Sequence, residues 1–241
     1  MGDVKIMLKG VKTDDVKDSI LITGFQGFGG VGYITTRYLV SKLKAKRIGY
    51  ILTSNMPDVT FSDSGRIALP YEIFIAEHIK GNFTVIVNHA VPVIDRNKFA
   101  KNIISWALDS GVKEAVFIGG LDVNAKRDES KYRVLPNAHF KKEPPGKILE
   151  NDLYIIGPLA LLTIYSEIYG LPALVLLPYT EPARVDPAAA AVAVEVLNEM
   201  YGLNVDPSEL YRDAEAIEKE LARVSELQRA VEVESKRTHY M

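Results

Sequence analysis

The chain has no cysteine, so disulfides, thiolate nucleophiles and cysteine-ligated zinc are excluded, and the composition fits an intracellular protein. Histidine is almost as scarce. His78, His89, His139 and His239 are scattered, with no H-x-x-x-H or H-E-x-x-H spacing, so no metal centre and no cofactor are expected. An excess of either charge is also missing. Lys and Arg number 29 against 31 Asp and Glu, and the net charge of −2 offers no global attraction for nucleic acid or an anionic membrane. Nor is there an uncharged apolar run of about 18 residues, the length a membrane span needs. The segment 155–179 comes closest, but Pro158, Glu167, Gly170 and Pro172 divide it into a helix and a strand. The first ten residues lack the apolar core of a secretory signal. Together these absences predict a cytoplasmic protein with neither nucleic-acid nor membrane partners.

What is present suits a substantial core. At 241 residues and 47% hydrophobic content, the chain can form one large α/β domain with a helical appendage. Strand-like apolar runs occur at 20–25, 48–52, 83–88, 115–118, 154–156 and 173–177, several of them continuous, as in strands buried on both faces. Helical patterns lie between them at 30–43, 96–109, 159–169 and 187–201. Asp95 is placed to cap the second, Gly111 and Gly170 to end the second and third, and Pro187 to start the fourth. This alternation predicts a mostly parallel sheet sandwiched by helices. The segment 67–76 reads as a strand pair or an extended piece on the sheet edge, limited in pairing by Pro70. Residues 122–146 read as a long polar excursion.

The strongest local signal is the run from Ser19 to Gly32, an apolar strand entering a turn rich in glycine and then a helix. Such a unit can aim backbone N–H groups at an anion, and Gly27, Gly29, Gly30 and Gly32 form a possible ligand-binding turn. A P-loop would need Lys and Ser or Thr after its last glycine, whereas Tyr33, Ile34 and Thr35 follow here. The literal G-x-G-x-x-G from Gly27 to Gly32 is followed by a strand ending in Thr53-Ser54-Asn55, without the acidic residue that holds a ribose. The glycines are therefore read first as a tight turn with close helix packing. The alternative is a nucleotide- or phosphate-binding enzyme, ATP-grasp-like or phosphorylase-like, that uses this turn. No ATP-grasp set of phosphate lysine and magnesium carboxylates can be placed, and no G-x-S-x-G elbow occurs.

Polar residues at strand ends are the other candidates for chemistry. His89 and Asp122 follow strands at the carboxyl side where open α/β sheets place ligands, and Asn55, Asp58, Glu181 and Arg184 sit equivalently. Helix caps and loop satisfaction explain them equally well, and no pair has a diagnostic spacing, so no catalytic residue is assigned.

From Pro207 onward, Leu210, Ala214, Ile217, Leu221, Val224, Gln228 and Val231 alternate at spacings of four and three. This is the seam of a short coiled coil, and Leu210, Ala214, Ile217, Leu221, Val224 and Val231 are the expected oligomer interface. The competing reading is an amphipathic helix lying on its own domain. Residues 235–241 should form a flexible tail that ends His239-Tyr240-Met241.

Ile20-Leu21-Ile22-Thr23-Gly24-Phe25 with Gly27, Gly30 and Gly32, then Val116-Phe117-Ile118-Gly119-Gly120, then Leu176-Leu177-Pro178-Tyr179 before an alanine-rich helix, resembles the PAC2 family. The resemblance covers about residues 15–205 and implies a division into a PAC2-like domain at 1–205, an oligomerising helix at 206–234 and a tail at 235–241. It also implies a sandwich akin to nucleoside phosphorylase folds and a homo-oligomer that chaperones proteasome assembly without catalysis. Its partners would be proteasome α subunits or a related assembly factor. Some members end in a hydrophobic residue, Tyr and any residue, a tail that inserts between α subunits. Tyr240 matches the penultimate position, and His239 stands where the hydrophobic residue would be.

Overall fold

The computed structural model describes residues 4–10 and 13–238, with side chains described from 15 to 224 in the second stretch. The chain runs β1 (Lys5–Leu8), β2 (Ile20–Gly24), α1 (Val31–Lys42), β3 (Lys46–Leu52), β4 (Ser62–Asp63), β5 (Arg66–Ile67), β6 (Tyr71–Ala76) and β7 (Phe83–Asn88). It continues with α2 (Arg96–Asp109), β8 (Glu114–Ile118), β9 (Leu121–Asp122), β10 (Tyr132–Pro136), α3 (Gly157–Tyr169), β11 (Ala173–Thr180), α4 (Pro187–Tyr201) and α5 (Ser208–Thr238).

One sheet organises these elements in the order β1-β3-β6-β7-β2-β8-β11-β10. Its centre, β7-β2-β8-β11, is parallel, and antiparallel strands extend it on both sides. Every residue of β2, β6, β7 and β8 is buried, which is why their sequences are mostly apolar on both faces, with Glu72 and Glu114 as buried charged exceptions. The strand period still sorts side chains between two cores. Leu21, Ile73, Ile86 and Phe117 pack with Phe99, Ile103 and Leu162 of α2 and α3. Ile22, Val85, Val116 and Leu176 pack on the other face with Leu39, Val194 and Leu197 of α1 and α4. The result is a three-layer sandwich of helices, sheet and helices, as the alternation of patterns requires.

Local chemistry fixes the helix ends. Asp186 caps α4 by accepting from the Ala189 amide at 3.0 Å, Pro187 occupies the first turn, and Gly202 ends the helix at φ 64°. Pro158 and left-handed Gly170 frame α3 in the same way. Asp95 stands at the start of α2, but its carboxylate accepts from the Asn55 amide and side chain at 3.1 and 2.9 Å rather than capping the helix.

Four sequence expectations are corrected. The 67–76 segment does not lie on an edge: Pro70 falls just before β6, which pairs with both β3 and β7 and is wholly buried. Residues 154–156 form no strand; they run irregularly into α3, with Tyr154 and Ile156 exposed. The 122–146 excursion contains β9 and β10, and β10 pairs antiparallel with β11. Fully buried Arg133 ties this region down, donating to Glu150 Oε1 at 2.9 and 2.8 Å and to Asp128 at 3.1 Å. Finally, α5 continues to Thr238, so residues 235–238 are helical; 239–241 lie outside the described residues.

Candidate functional site

The glycine turn lies where β2 meets α1, next to the ends of β8 and β11. A Cβ on Gly24 would stand 2.5 Å from both Gly32 Cα and the Ile118 carbonyl oxygen, so the first turn of α1 rests directly on the sheet backbone. Gly29, at φ 63°, is pressed against Thr180, and a side chain on Gly120 would strike the Phe28 carbonyl. Within the turn, the Gly27 amide bonds the Phe25 carbonyl and the Gly30 amide bonds the Gly27 carbonyl, both at 2.9 Å. Close packing thus accounts for Gly24, Gly29 and Gly32, while Gly27 has open space around its Cα.

Beside this turn a cavity of about 260 Å³ is lined by Phe25, Phe28, Val91, Leu121, Ile155 and Leu159 among others. Its rim is apolar and open: Tyr154 and Ile156 are 85% and 75% exposed. Helix α3 buries Leu159, Leu162 and Ser166, while Ile164 and Ile168, four residues apart on one face, are exposed. Val93 and Ile94, which lead into α2, are also exposed. Exposed large apolar side chains on this scale suit protein contact rather than catalysis.

The strand-end polar residues do not converge. Asp122 accepts from the amide and side chain of Asn124, both at 2.9 Å, and so caps a short 3-10 turn. Asn55 is held by Asp95, Asp58 and Glu181 are exposed, and Arg184 pairs with Glu218 of α5. His89 alone joins a charged cluster. Its Nε2 lies 3.2 Å from Glu72 Oε2 and its Nδ1 lies 3.1 Å from the Tyr33 hydroxyl. Glu72 Oε1 accepts from Arg47 at 2.6 Å and from Arg66 at 2.7 Å. Burial by itself would raise the Glu72 carboxyl, but hydrogen bonds from His89, Arg66 and Arg47 outweigh it and hold the group down at about 2. Sequence reading missed Glu72, because a carboxylate inside a strand carries no marker until β3 and the β4–β5 hairpin bring their arginines to it. No group of residues able to hold a metal ion occurs among the described residues, and none of their helices is long and apolar enough to cross a membrane.

The expected oligomer seam divides into two parts. Leu210 is buried in the core with α1 and α4, and the Tyr211 hydroxyl donates to Glu195 of α4 at 2.7 Å. Ala214 and Ile217 are half-buried along a groove shared with residues 184–188. Every residue from 218 to 224 is exposed, including Leu221 at 46% and Val224 at 41%. The first turns of α5 therefore lie on their own domain, and the helix then leaves it. Leu210 serves the monomer's core, a correction to its place in the seam. The Val231 side chain and the tail residues His239, Tyr240 and Met241 lie outside the described residues.

The described residues form an α/β sandwich from which α5 extends, with exposed apolar side chains on its surface. The sequence model of the PAC2 family matches residues 21–225, and the chain belongs to that family. Two uncharacterized proteins of Methanocaldococcus jannaschii are 24% and 26% identical, covering 93% and 88% of this chain and 90% and 87% of their own lengths. Among solved structures, Pyrococcus furiosus PbaA, described as an archaeal homolog of proteasome-assembly chaperone, superposes with a TM-score of 0.80 at 26% identity, covering 98% of this chain and 97% of its own. P. furiosus PbaB, described as an archaeal proteasome activator, shares the fold with a TM-score of 0.76 at 19% identity over 93% of this chain and 100% of its own.

Proposed function

We propose that the chain is a non-catalytic, homo-oligomeric protein of the proteasome-assembly chaperone type, acting in the cytoplasm, that engages proteasome α subunits or a related assembly factor through His239, Tyr240 and Met241. The observation that carries this reading is the departure of α5 from the body. From Glu218 to Thr238 the helix spans about 30 Å at about 1.5 Å per residue, and its described side chains from 218 to 224 are all exposed. Family membership and the likeness to PbaA support the same role. Leu221 and Val224 offer an apolar stripe for self-association, and Ile164 and Ile168 on α3 offer a second surface. Several tails on one oligomer would act by avidity, because binding of the first raises the effective concentration of the rest. Tyr240 would supply an aromatic anchor of the kind common in peptide recognition.

Native mass measurements, alone and with purified archaeal proteasome α subunits, test this reading. The intact chain should form a homo-oligomer and a larger mixed complex, and removal of residues 239–241 should abolish only the mixed complex. A monomer, or a mixed complex indifferent to the deletion, would refute it.

A further inference from the structure

The charged cluster around Glu72 faces an open cavity that the scaffold role does not use. The cavity holds about 620 Å³, within the usual range for small-ligand sites, and is walled by α1, β3 and the β4–β5 hairpin. Arg37, Arg47 and Arg66 line it together with Asp63, Ser64 and His89. The side chains of the three arginines are 44%, 37% and 33% exposed, so all are within reach of solvent.

Three guanidinium groups share two carboxylates. Glu72 engages Arg47 and Arg66 through a single oxygen and turns its other oxygen to His89. Asp63 engages Arg66 at 2.7 Å and Arg37 at 3.5 Å. Among the described residues the polar contacts of Arg37 are long, 3.5 Å to Asp63 and 3.4 Å to the Tyr33 hydroxyl, and it stacks over Tyr33 and Phe61 at 5.8 Å. Among the described residues Arg47 makes its hydrogen bonds through one terminal nitrogen, to Glu72 and to the Ile67 carbonyl. Arg66 is engaged at both terminal nitrogens, whereas Arg47 and Arg37 keep donor capacity towards the cavity, and three guanidinium groups against two carboxylates leave its wall one positive charge in excess.

A planar fork held by a buried carboxylate, as Arg47 is by Glu72, suits two-point recognition of a phosphoryl group, and the loosely engaged Arg37 beside it adds the uncompensated charge that favours a dianion. The geometry points to a binding site for a small phosphate-bearing molecule, with Arg37 and Arg47 contacting the phosphoryl oxygens and Glu72 positioning Arg47. Tyr33 and Phe61, beside Arg37, give an organic moiety an aromatic surface. The site is separate from the glycine turn, whose packing contacts lie at Thr180 and Ile118.

The test is thermal stabilisation of the full-length protein, titrated at constant ionic strength with inorganic phosphate, with AMP and with adenosine as the uncharged control. The proposal expects a saturable rise in melting temperature with AMP or phosphate and none with adenosine. Tighter binding of AMP assigns a phosphate monoester, and equal binding assigns the phosphate ion. Arg37→Gln, which removes two long polar contacts and an exposed stacking contact, should melt close to the wild type without ligand and weaken binding at least tenfold, with partial recovery in Arg37→Lys. Arg127→Gln, at an exposed pair with Asp152, should bind as the wild type does. No saturable response to either phosphate compound, or equal binding by the wild type and Arg37→Gln, would overturn the assignment. Binding of α subunits by Arg37→Gln should be unchanged, so the two proposals fail independently.

Discussion

Replacing Glu72 with Gln removes the one fully buried carboxylate of the cluster while keeping its size. Its side chain has no exposed area, and it receives hydrogen bonds from Arg47, Arg66 and His89. The carboxyl is held at about 2 when folded, against 4.5 when free, and that difference corresponds to about 3 kcal/mol at about 1.4 kcal/mol per pH unit. Breaking a buried ion pair by removing one partner costs about 3–5 kcal/mol, and the exposure of both arginines to solvent places this case at the lower end. For a chain of this size, about 3 kcal/mol corresponds to a fall in melting temperature of roughly 6–12 °C. The pH dependence has a definite sign. Because the folded value lies below the unfolded one, the charge stabilises fully above pH 4.5, and the contribution is lost as pH falls from there towards 2. Urea unfolding of wild type and Glu72→Gln at a series of pH values should therefore show a stability gap of about 3 kcal/mol near neutrality that closes in this window. A gap below about 1 kcal/mol, or one that persists unchanged to the acid end, would refute the reasoning.

Other outcomes follow from the packing. Gly32→Ala should destabilise by about 3 kcal/mol or more in urea unfolding, because its Cβ would collide with the Ile118 carbonyl and lie 2.8 Å from Gly24 Cα; Gly27→Ala, with open space around it, should stay within about 0.5 kcal/mol. Leu210→Ala should lower unfolding stability by about 2–5 kcal/mol as a core truncation. Leu221→Asp, on the exposed part of α5, should leave stability nearly unchanged and reduce the oligomer mass in light scattering; an unchanged mass would remove α5 from the interface.

The central architecture was legible because its elements satisfy strong one-dimensional patterns. Continuous apolar runs marked β2, β7, β8 and β11, and Pro187, Gly170 and Gly111 punctuated the helices where expected. Its periphery was not. β1 and β10 are short outer strands with mixed residues, and the order around β10 depends on Arg133 meeting Glu150 and Asp128, a pairing visible only in three dimensions. Tyr154 and Ile156 imitate a strand because they are apolar, but they are exposed. The spacing along α5 is continuous in sequence, whereas its burial changes after Ile217, beyond which every described side chain is exposed. Glu72 illustrates the hardest case: its environment comes from β3, the hairpin, α1 and the end of β7, and no local spacing announces it.

The most direct measurement is the affinity of immobilised archaeal proteasome α subunits for the intact protein and for the Tyr240→Ala variant, with the native mass of each recorded. A specific contact through the tail predicts strong binding by the former and at least a tenfold loss in the latter at unchanged native mass, about 1.4 kcal/mol or more. Equal affinities would contradict it.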